Sequence, residues 1–276
     1  MTTTIPTIEA NGAKIPQLGL GTWELRGDTC VRMVQEALKR GYRHIDTAEM
    51  YDNEEAVGGG LRASGVARGE IFVTTKVWHT HFEPAALLKA AKESLGKLKL
   101  DHVDLLLLHW PNASVPLEDT VGALNDAKSR GLAKHIGVAN FTVDLVRQAV
   151  KLSKAPLVNN QIEMHPYLDQ SKVVAECEGH GMSLTAYSPI AKGGAASDET
   201  LKRIGAAHKK SAAQICLRFL VQQGIVVIPR TSKPERLDEN AAIFDFELSP
   251  AQMSDIRALA SPKGRRISPS WAPAWD

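Results

Sequence analysis

Four side chains with complementary chemistry lie near the ends of three successive apolar runs: Asp46, Tyr51, Lys76 and His109. An unperturbed tyrosine hydroxyl has a pKa of about 10 and is a poor acid at neutral pH. An ammonium beside it favours the phenolate and lowers that pKa, and a carboxylate beside the ammonium keeps it charged and oriented. The combination predicts a general acid, Tyr51, that protonates a carbonyl oxygen.

Each of these residues also has a structural interpretation. Asp46 and Lys76 can form a purely structural ion pair between strands, since structural pairs also perturb pKa values. His109 alone can satisfy a hydrogen bond at a strand end, and Tyr51 alone can be a packed loop residue. The occurrence of all four types together favours a catalytic site.

Eight strand-like apolar runs, each followed by a helical pattern, supply the elements that would position these residues. In chain order they are 17–21, 44–47, 71–77, 101–110, 134–140, 157–163, 182–188 and 225–230. Strands buried on both faces and joined by helices form parallel sheets, and eight such units in about 250 residues match a (β/α)8 barrel. We therefore predict an α/β fold, a TIM barrel with extra helices, in which residues 1–276 form a single domain.

Three further features of the sequence bear on the fold: the glycines near the first strand, the glycines at 58–60 and the C-terminal tail. The alternative is an open, doubly wound sheet, which usually carries the motif G-x-G-x-x-G after its first strand. Residues 19–27 have only part of that spacing. The glycines at 58–60 interrupt a helical pattern and receive no role. The Pro-, Ser- and Trp-rich tail, residues 261–276, is predicted to be a C-terminal loop over the active site, where its tryptophans cover an apolar surface.

Composition excludes several classes of partner. Lys plus Arg number 33 and Asp plus Glu 31, so the formal net charge is +2, and no basic stripe predicts nucleic-acid binding. Three widely spaced cysteines favour a reducing compartment over a disulfide framework. No apolar run approaches the ~20 residues that span a bilayer, and the N-terminus does not resemble a secretory signal. We expect a soluble, cytoplasmic protein with neither nucleic-acid nor membrane partners.

Eight blocks along nearly the whole chain resemble the aldo-keto reductase family, most closely its short bacterial 2,5-diketo-D-gluconate reductase-like members. The blocks are LGLGTW (18–23), GYRHIDTAEMYDNEEAVG (41–58), TTKVW (74–78), DLLLLHWP (104–111), GVANF (137–141), NNQIEMHP (159–166), AYSPI (186–190) and VIPRTSKPERLDEN (227–240). The resemblance implies a monomeric oxidoreductase that reduces aldehydes, ketones or dicarbonyls with NADP(H), and it leaves NAD(H) as an alternative coenzyme. A small-molecule carbonyl compound is then the expected substrate.

Carried over residue by residue, the resemblance assigns catalytic roles to the four residues named first. Tyr51 would donate the proton, Lys76 paired with Asp46 would lower its pKa, and His109 would orient and polarise the carbonyl. The substrate-binding set that the resemblance implies is Trp23, Tyr51, Trp78, His79, His109, Trp110 and Asn140.

The resemblance also implies how a coenzyme would lie along the strand ends. Asn140 and Gln161 would hold the nicotinamide carboxamide, Tyr187 would stack on the ring, and residues 188–191 would follow the pyrophosphate. The implied coenzyme-binding set is Thr22, Trp23, Asp46, Asn140, Gln161, Tyr187, Ser188, Pro189, Ile190, Ala191, Arg230, Thr231, Ser232, Arg236, Glu239 and Asn240. Its members at 230, 231 and 236 would meet the 2′-phosphate of NADP, and those at 239 and 240 the adenine.

The chain departs from the family pattern at three places. Ala139 stands where the family commonly has Ser, which removes one hydroxyl contact to the carboxamide. Arg230 replaces a common Lys, and it keeps the charge while adding a planar fork suited to phosphate. Pro189-Ile190-Ala191 replaces a more usual Leu-Gly pair along the pyrophosphate.

Two other functions compete with carbonyl reduction. His79 and His81 form an H-x-H pair, as in metal-dependent barrel hydrolases, but a site needs three or four ligands and no further set completes it, so we predict no metal. A nucleotide-bound regulatory or interaction module without turnover is the second. The presence of all four catalytic residue types, and the lack of an appended interaction segment, favours the enzyme.

Overall fold

Eight parallel strands form the centre of the computed structural model, which describes residues 5–276. They are β3 Leu20–Gly21, β4 His44–Asp46, β5 Phe72–Val77, β6 Val103–Leu108, β7 Ala133–Ala139, β8 Leu157–Glu163, β9 Ser183–Tyr187 and β10 Val226–Val227. Each pairs in parallel with the next along the chain. Most of their side chains are buried, as expected for strands covered on both faces.

Hydrogen bonds between the first and last strand segments close the sheet. The amide of Val227 donates to the carbonyl of Gln17 at 2.9 Å, and the amide of Gly19 donates back to Val227 at 2.9 Å. The amide of Gly21 donates to Pro229 at 3.2 Å, and Leu18 forms a parallel bridge with Val227. An open sheet would leave these edges unpaired, so the predicted (β/α)8 barrel is confirmed and the doubly wound alternative is wrong.

Helices surround the barrel, and two of them rather than one follow each of the last two strands. Their bounds are α1 Gly27–Lys39, α2 Glu54–Ala63, α3 Pro84–Leu98, α4 Leu117–Ser129, α5 Val143–Leu152, α6 Ser171–Gly179, α7 Glu199–His208, α8 Ala212–Val221, α9 Glu235–Ala241 and α10 Pro250–Arg257. Capping boxes led by Ser211 and Ser249 fix the starts of α8 and α10. Within residues 5–276, no helix is long and apolar enough to cross a membrane.

A β-hairpin that the sequence analysis missed caps the amino-terminal end of the barrel. Strands β1, Thr7–Ala10, and β2, Ala13–Pro16, pair antiparallel around Asn11-Gly12, both of which have positive φ. Ile15 is fully buried in a cluster with side chains of the barrel strands, among them Phe72 and Val158 near the starts of β5 and β8. Asn-Gly between strand-like residues is the strongest short-range hairpin signal, so the sequence did contain the information.

The consecutive glycines of α2 acquire a packing role. A β-carbon on Gly58 would lie 2.3 Å from the carbonyl oxygen of Leu98, at the end of α3, and one on Gly60 would lie 2.6 Å from Cβ of Val34 on α1. Any side chain at either position would force the helices apart. Gly58 and Gly60 therefore set the close approach of α2 to its two neighbours.

Candidate active site

A fully buried ion pair joins the carboxyl end of β4 to β5. Adjacent pairing of these strands brings Nζ of Lys76 to 2.7 Å from Oδ1 of Asp46. The same ammonium donates to the carbonyl oxygen of Thr47 at 2.8 Å and to the hydroxyl of Tyr51 at 3.3 Å. Three oxygens thus satisfy the three donors of a charge that has been removed from water.

Tyr51 reaches this pair from the short 3-10 turn that follows β4. Its ring centroid lies 4.9 Å from that of Trp23 and 5.6 Å from that of His109, in edge-on contacts. Nζ of Lys76 lies 4.8 Å from the tyrosine ring centroid. The predicted proton donor, its cation, the carboxylate and the imidazole therefore meet at one point.

The pKa of Tyr51 shifts in the direction opposite to the one predicted from the sequence. Burial, followed by the Asp46 carboxylate, raises this pKa well above 10. Burial likewise lowers the pKa of Lys76, and the ammonium is shared with Asp46 and Thr47. The prediction of a lowered Tyr51 pKa is wrong because desolvation of the phenolate outweighs the attraction of a shared cation. The hydroxyl is therefore neutral, which is the form that can donate a proton.

His109 follows the end of β6 and is buried beside Tyr51. Burial, then the charges of Lys76 and His79, lower the pKa of His109 well below 6.5, so its imidazole is neutral. Its Nδ1 is buried and has no hydrogen-bond partner among the described residues. A neutral ring beside Tyr51 can orient a carbonyl oxygen without first losing a proton.

Three residues predicted to hold a nicotinamide connect to the same network. Nε2 of Gln161 donates to Oδ2 of Asp46 at 2.7 Å. The hydroxyl of Tyr187 donates to Oδ1 of Asn140 at 2.7 Å, and Nδ2 of Asn140 donates to the His109 carbonyl at 2.9 Å. One bond thus joins the ends of β4 and β8, and the other two, one of them half-buried, join the ends of β6, β7 and β9.

A cavity of about 560 Å³, within the usual range of small-molecule sites, opens from this network. The predicted residues that line it are Thr22, Trp23, Asp46, Tyr51, His109, Trp110, Asn140, Gln161, Tyr187, Ser188, Pro189, Ile190, Arg230 and Arg236. The sequence analysis did not name the lining residues Gly21, Glu24, Met50, Lys192, Gly193, Ile228, Pro229 and Ile267. All but Ile267 lie within two residues of a predicted site residue, and that proximity was the available signal.

The exposed end of the cavity carries positive charge and an unusual backbone. Arg230, Arg236 and Lys192 line it. After β9, φ is +50° at Ser188, +48° at Ala191, +55° at Lys192 and +87° at Gly193. Left-handed residues turn successive backbone N–H groups into concave anion-binding surfaces, and the strained non-glycine conformations mark a functional segment. This end fits a ligand that carries phosphates.

Arg230 already has an anionic partner within the chain. Its guanidinium pairs with the carboxylate of Glu24, and its Nε donates to the Trp23 carbonyl at 3.1 Å. Both side chains are accessible, at 41% for Arg230 and 57% for Glu24. Glu24 itself has a φ of +62°. An exposed pair of this kind can exchange one anion for another.

Several predicted coenzyme residues do not line the cavity. Ala191 and Thr231 are buried beside it, and Ser232 is exposed. The carboxylate of Glu239 accepts a hydrogen bond from Ser211 Oγ at 2.5 Å, and Asn240 is buried on α9. Their roles toward an adenine remain predictions.

The C-terminal tail lies over three of the predicted substrate residues. The ring of Trp271 stands 4.4 Å from that of His79 and 5.8 Å from that of Trp78, and it meets Trp110 at 5.2 Å. Trp275 also contacts Trp110, at 6.0 Å. The prediction that the tail tryptophans cover an apolar surface at the active site is confirmed. Trp78 and His79 consequently lie under the tail and do not line the open cavity.

The histidines of the H-x-H pair have other neighbours. His81 Nδ1 lies 2.7 Å from the Glu49 carboxylate, while His79 contacts Trp271. Over residues 5–276, no group of three or more His, Cys, Asp or Glu side chains is placed to hold a metal ion.

Two sequence relatives cover almost the same length as this chain. A methylglyoxal reductase of Escherichia coli O157:H7, DkgB, is 42% identical over 266 residues, which are 95% of this chain and 99% of the relative. A glyoxal reductase of Bacillus subtilis (strain 168) is 42% identical over 261 residues, 94% of each chain.

Solved structures agree with the sequence matches. A putative 2,5-diketo-D-gluconic acid reductase B superposes with a TM-score of 0.97 at 45% identity, covering 100% of this chain and 99% of the other. A Bombyx mori aldo-keto reductase in complex with NADP superposes with a TM-score of 0.89 at 35% identity, covering 97% and 96%. Residues 17–261 match the model of the aldo/keto reductase family, and the chain belongs to that family.

Proposed function

We propose that this protein reduces aldehydes, ketones or dicarbonyls to alcohols with NADPH, with Tyr51 as the proton donor. The observation that carries the proposal is the buried network in which Lys76 joins Asp46 to the Tyr51 hydroxyl at the inner end of the cavity. Relatives named methylglyoxal reductase and glyoxal reductase support small dicarbonyls as substrates.

The residues that would hold the coenzyme follow from the arrangement of the cavity. Asn140 and Gln161, which line the cavity, would bind the nicotinamide carboxamide, and the Tyr187 ring would form the adjoining wall. When bound, NADPH supplies a hydride from C4 of its nicotinamide to the carbonyl carbon. The protein supplies orientation and electrostatics around that transfer.

The proton-transfer part of the reaction belongs to the protein. A substrate oxygen between Tyr51 and His109 would accept hydrogen bonds from the phenol and from a neutral imidazole. As the carbon gains the hydride, the oxygen takes the Tyr51 proton, which leaves an alcohol and a phenolate. The Lys76 ammonium, held by Asp46, stabilises that phenolate until it is reprotonated.

Coenzyme choice would depend on the exposed end of the cavity. The 2′-phosphate is the group that distinguishes NADPH from NADH, and Arg230 and Arg236 are the arginines that line the cavity. Arginine binds phosphate through two parallel N–H donors. Arg230 can turn from Glu24 to the phosphate because both partners are exposed. We therefore propose a preference for NADPH, with NADH as a weaker substitute.

We further propose that the protein acts as a monomer in the cytoplasm. The three cysteines are free and buried, and burial raises the pKa of Cys30 to about 11 and that of Cys177 to about 12. Thiols of this kind do not depend on an oxidising compartment. Light scattering of the purified protein tests the oligomeric state.

The test is a panel of aldehydes, ketones and dicarbonyls assayed with NADPH and NADH side by side. We expect substrate-dependent oxidation of NADPH, fastest with small dicarbonyls, and slower oxidation of NADH at equal concentration. Coenzyme binding by fluorescence titration without turnover on any carbonyl would instead support the nucleotide-bound interaction module. Activity that requires an added metal would support the hydrolase alternative.

A further inference from the structure

A buried carboxylate that the proposed chemistry does not use lies at the end of β8. Glu163 is fully buried, and its Oε1 accepts hydrogen bonds from the backbone amide of Arg266 at 2.7 Å and from Nε2 of His165 at 2.9 Å. Its Oε2 accepts from the backbone amide of Ile267 at 2.9 Å. The carboxylate thus binds two consecutive amides of the C-terminal tail, more than 100 residues away in sequence.

The tail segment that Glu163 holds is the segment that enters the cavity. Ile267 lines the cavity, and Trp271, four residues later, packs on Trp110. Just before the held amides, a β-carbon on Gly264 would lie 1.6 Å from the carbonyl oxygen of Tyr167. The backbone of the tail is therefore seated against the barrel at one place, directly before it turns toward the substrate.

Beyond Ile267 the tail has few other polar attachments. Among the described residues, its remaining hydrogen bond to the barrel runs from the Val143 amide to the Asp276 carboxylate at 3.0 Å, at the exposed end of the chain. Within the tail itself, the Arg265 guanidinium stacks on the ring of Trp275. The Cζ atom of Arg265 lies 3.7 Å from the centroid of that ring. A buried hydrogen bond is electrostatically stronger than an exposed one, so the two amide contacts of Glu163 are the strongest polar attachment of the tail.

We propose that Glu163 is a positioning residue for the carbonyl substrate, which it serves by fixing Ile267 and Trp271 over the pocket. The inference rests on the proposed function. Without the carboxylate, two backbone N–H groups lose their buried acceptors, and the tail must move toward water to satisfy them. The side of the pocket that Ile267 and Trp271 cover would become more mobile. The hydrogen bonds among Tyr51, Lys76 and Asp46 would remain, because these residues belong to β4, β5 and the turn after β4.

The test compares Glu163→Gln with wild type and with Glu176→Gln, a control that changes a carboxylate on α6 paired with Arg147 and His180. For Glu163→Gln we expect KM for the carbonyl to rise about tenfold, the lower end of the change that loss of one hydrogen bond to a charged group produces, because the lost bond acts on the substrate only through the tail. The kcat and the Kd for NADPH should stay within about twofold of wild type, and limited proteolysis should cut the tail faster. The control should match wild type in all four measurements.

A second variant tests the same inference if Glu163→Gln does not fold. Gly264→Ala leaves the carboxylate in place and displaces the tail from Tyr167, so it should also raise KM and protease sensitivity. An unchanged KM and cleavage pattern in a folded Glu163→Gln protein would overturn the inference, as would a loss of NADPH affinity equal to the rise in KM. If wild type reduces no carbonyl, the proposed function fails, while the proteolysis result still reports on the tether.

Discussion

The two ends of the cavity are built on different physical principles. At the inner end, Asp46 and Lys76 are at most 1% exposed and His109 is 6% exposed, and each is fixed by the barrel strands. At the outer end, Arg230 and Glu24 are 41% and 57% exposed and contact each other across two loops. The inner charges therefore keep their partners, while the outer charges can change theirs.

This difference separates catalysis from coenzyme selection. Preorganised buried dipoles and charges stabilise a transition state without reorganising, and they are little affected by salt. Exposed ion pairs contribute about 0–1 kcal/mol and are screened, so a phosphate can displace Glu24 from Arg230 at little cost. Substitutions at the inner end should change kcat, and substitutions at the outer end should change Kd.

The largest effect is expected from Tyr51→Phe, which removes the proton donor and keeps the ring. The kcat should fall by about 10²–10⁴-fold, as is typical of general acid catalysis, with the Kd for NADPH nearly unchanged. Steady-state kinetics and a fluorescence titration measure the two quantities. A variant that keeps more than about a tenth of wild-type kcat would place the acid elsewhere, first at His109.

Lys76→Met should lower kcat nearly as strongly, because the phenolate formed at Tyr51 loses its cation. It should also destabilise the fold by about 3–5 kcal/mol, since Asp46 is left as an unpaired buried charge. Urea unfolding and the pH profile of residual activity give both results. Near-normal kcat and pH dependence in a folded variant would show that the Asp46–Lys76 pair is structural only.

Arg230→Ala tests the outer end and should act on affinity alone. One hydrogen bond to a charged group contributes about 1.5–3 kcal/mol, so the Kd for NADPH should rise roughly ten- to a hundredfold while that for NADH barely changes. The NADPH preference of wild type should shrink as salt rises. Equal losses for both coenzymes would mean that Arg230 supports the fold, and no preference in wild type would indicate use of both coenzymes.

Glu24→Gln should produce a smaller change in the opposite direction. It removes the carboxylate that occupies Arg230, and exposed pairs contribute about 0.2–1 kcal/mol, so NADPH should bind up to about fivefold more tightly. NADH binding should not change. In the Arg230→Ala background the effect should vanish, which a double-mutant cycle measures. Weaker binding of both coenzymes would show instead that Glu24 closes the cavity over the ligand.

The smallest expected change is in the pH dependence of kcat, to which Tyr51 and His109 should contribute nothing near neutral pH. Burial raises the pKa of Tyr51 well above 10 and lowers that of His109 well below 6.5, so both are neutral between those values. The kcat of wild type should therefore show no titration of Tyr51 or His109 from pH 6.5 to pH 10, where the protein remains folded, and a fall toward the alkaline limit would report Lys76, whose pKa burial lowers. A sigmoidal fall that persists in activity measured near neutral pH would mean that Tyr51 or His109 titrates there before the proton transfer.

The residues at both ends of the cavity could be predicted from the sequence, but the direction of a pKa shift and the partner of an exposed charge could not, for physical reasons. Buried strands impose apolar runs, and polar side chains at their ends are conspicuous, so Asp46 and Lys76 were identified with their strands. The pKa direction of Tyr51 was wrong because it depends on depth of burial, which residue types do not report. The partner of Arg230 was missed because the exposed Glu24 lies 206 residues away.

The position of the C-terminal tail could also be predicted only in part from the sequence. Two tryptophans in a loose segment indicated that an apolar surface is covered, and Trp271 does cover Trp110. The residues around Glu163 in the sequence did not indicate that its carboxylate binds the backbone amides of Arg266 and Ile267. Backbone donors carry no sequence signature, so contacts to them become visible only in three dimensions.

The most direct measurement follows the hydride itself. NADPH deuterated at C4 of the nicotinamide, in either of its two stereochemical forms, is incubated with methylglyoxal and the product alcohol is analysed by mass spectrometry. We predict one deuterium on the former carbonyl carbon from one form of the coenzyme only, because the ring is bound with one face toward Tyr51. An alcohol without deuterium from either form, or no alcohol from any carbonyl, would contradict hydride transfer in this site.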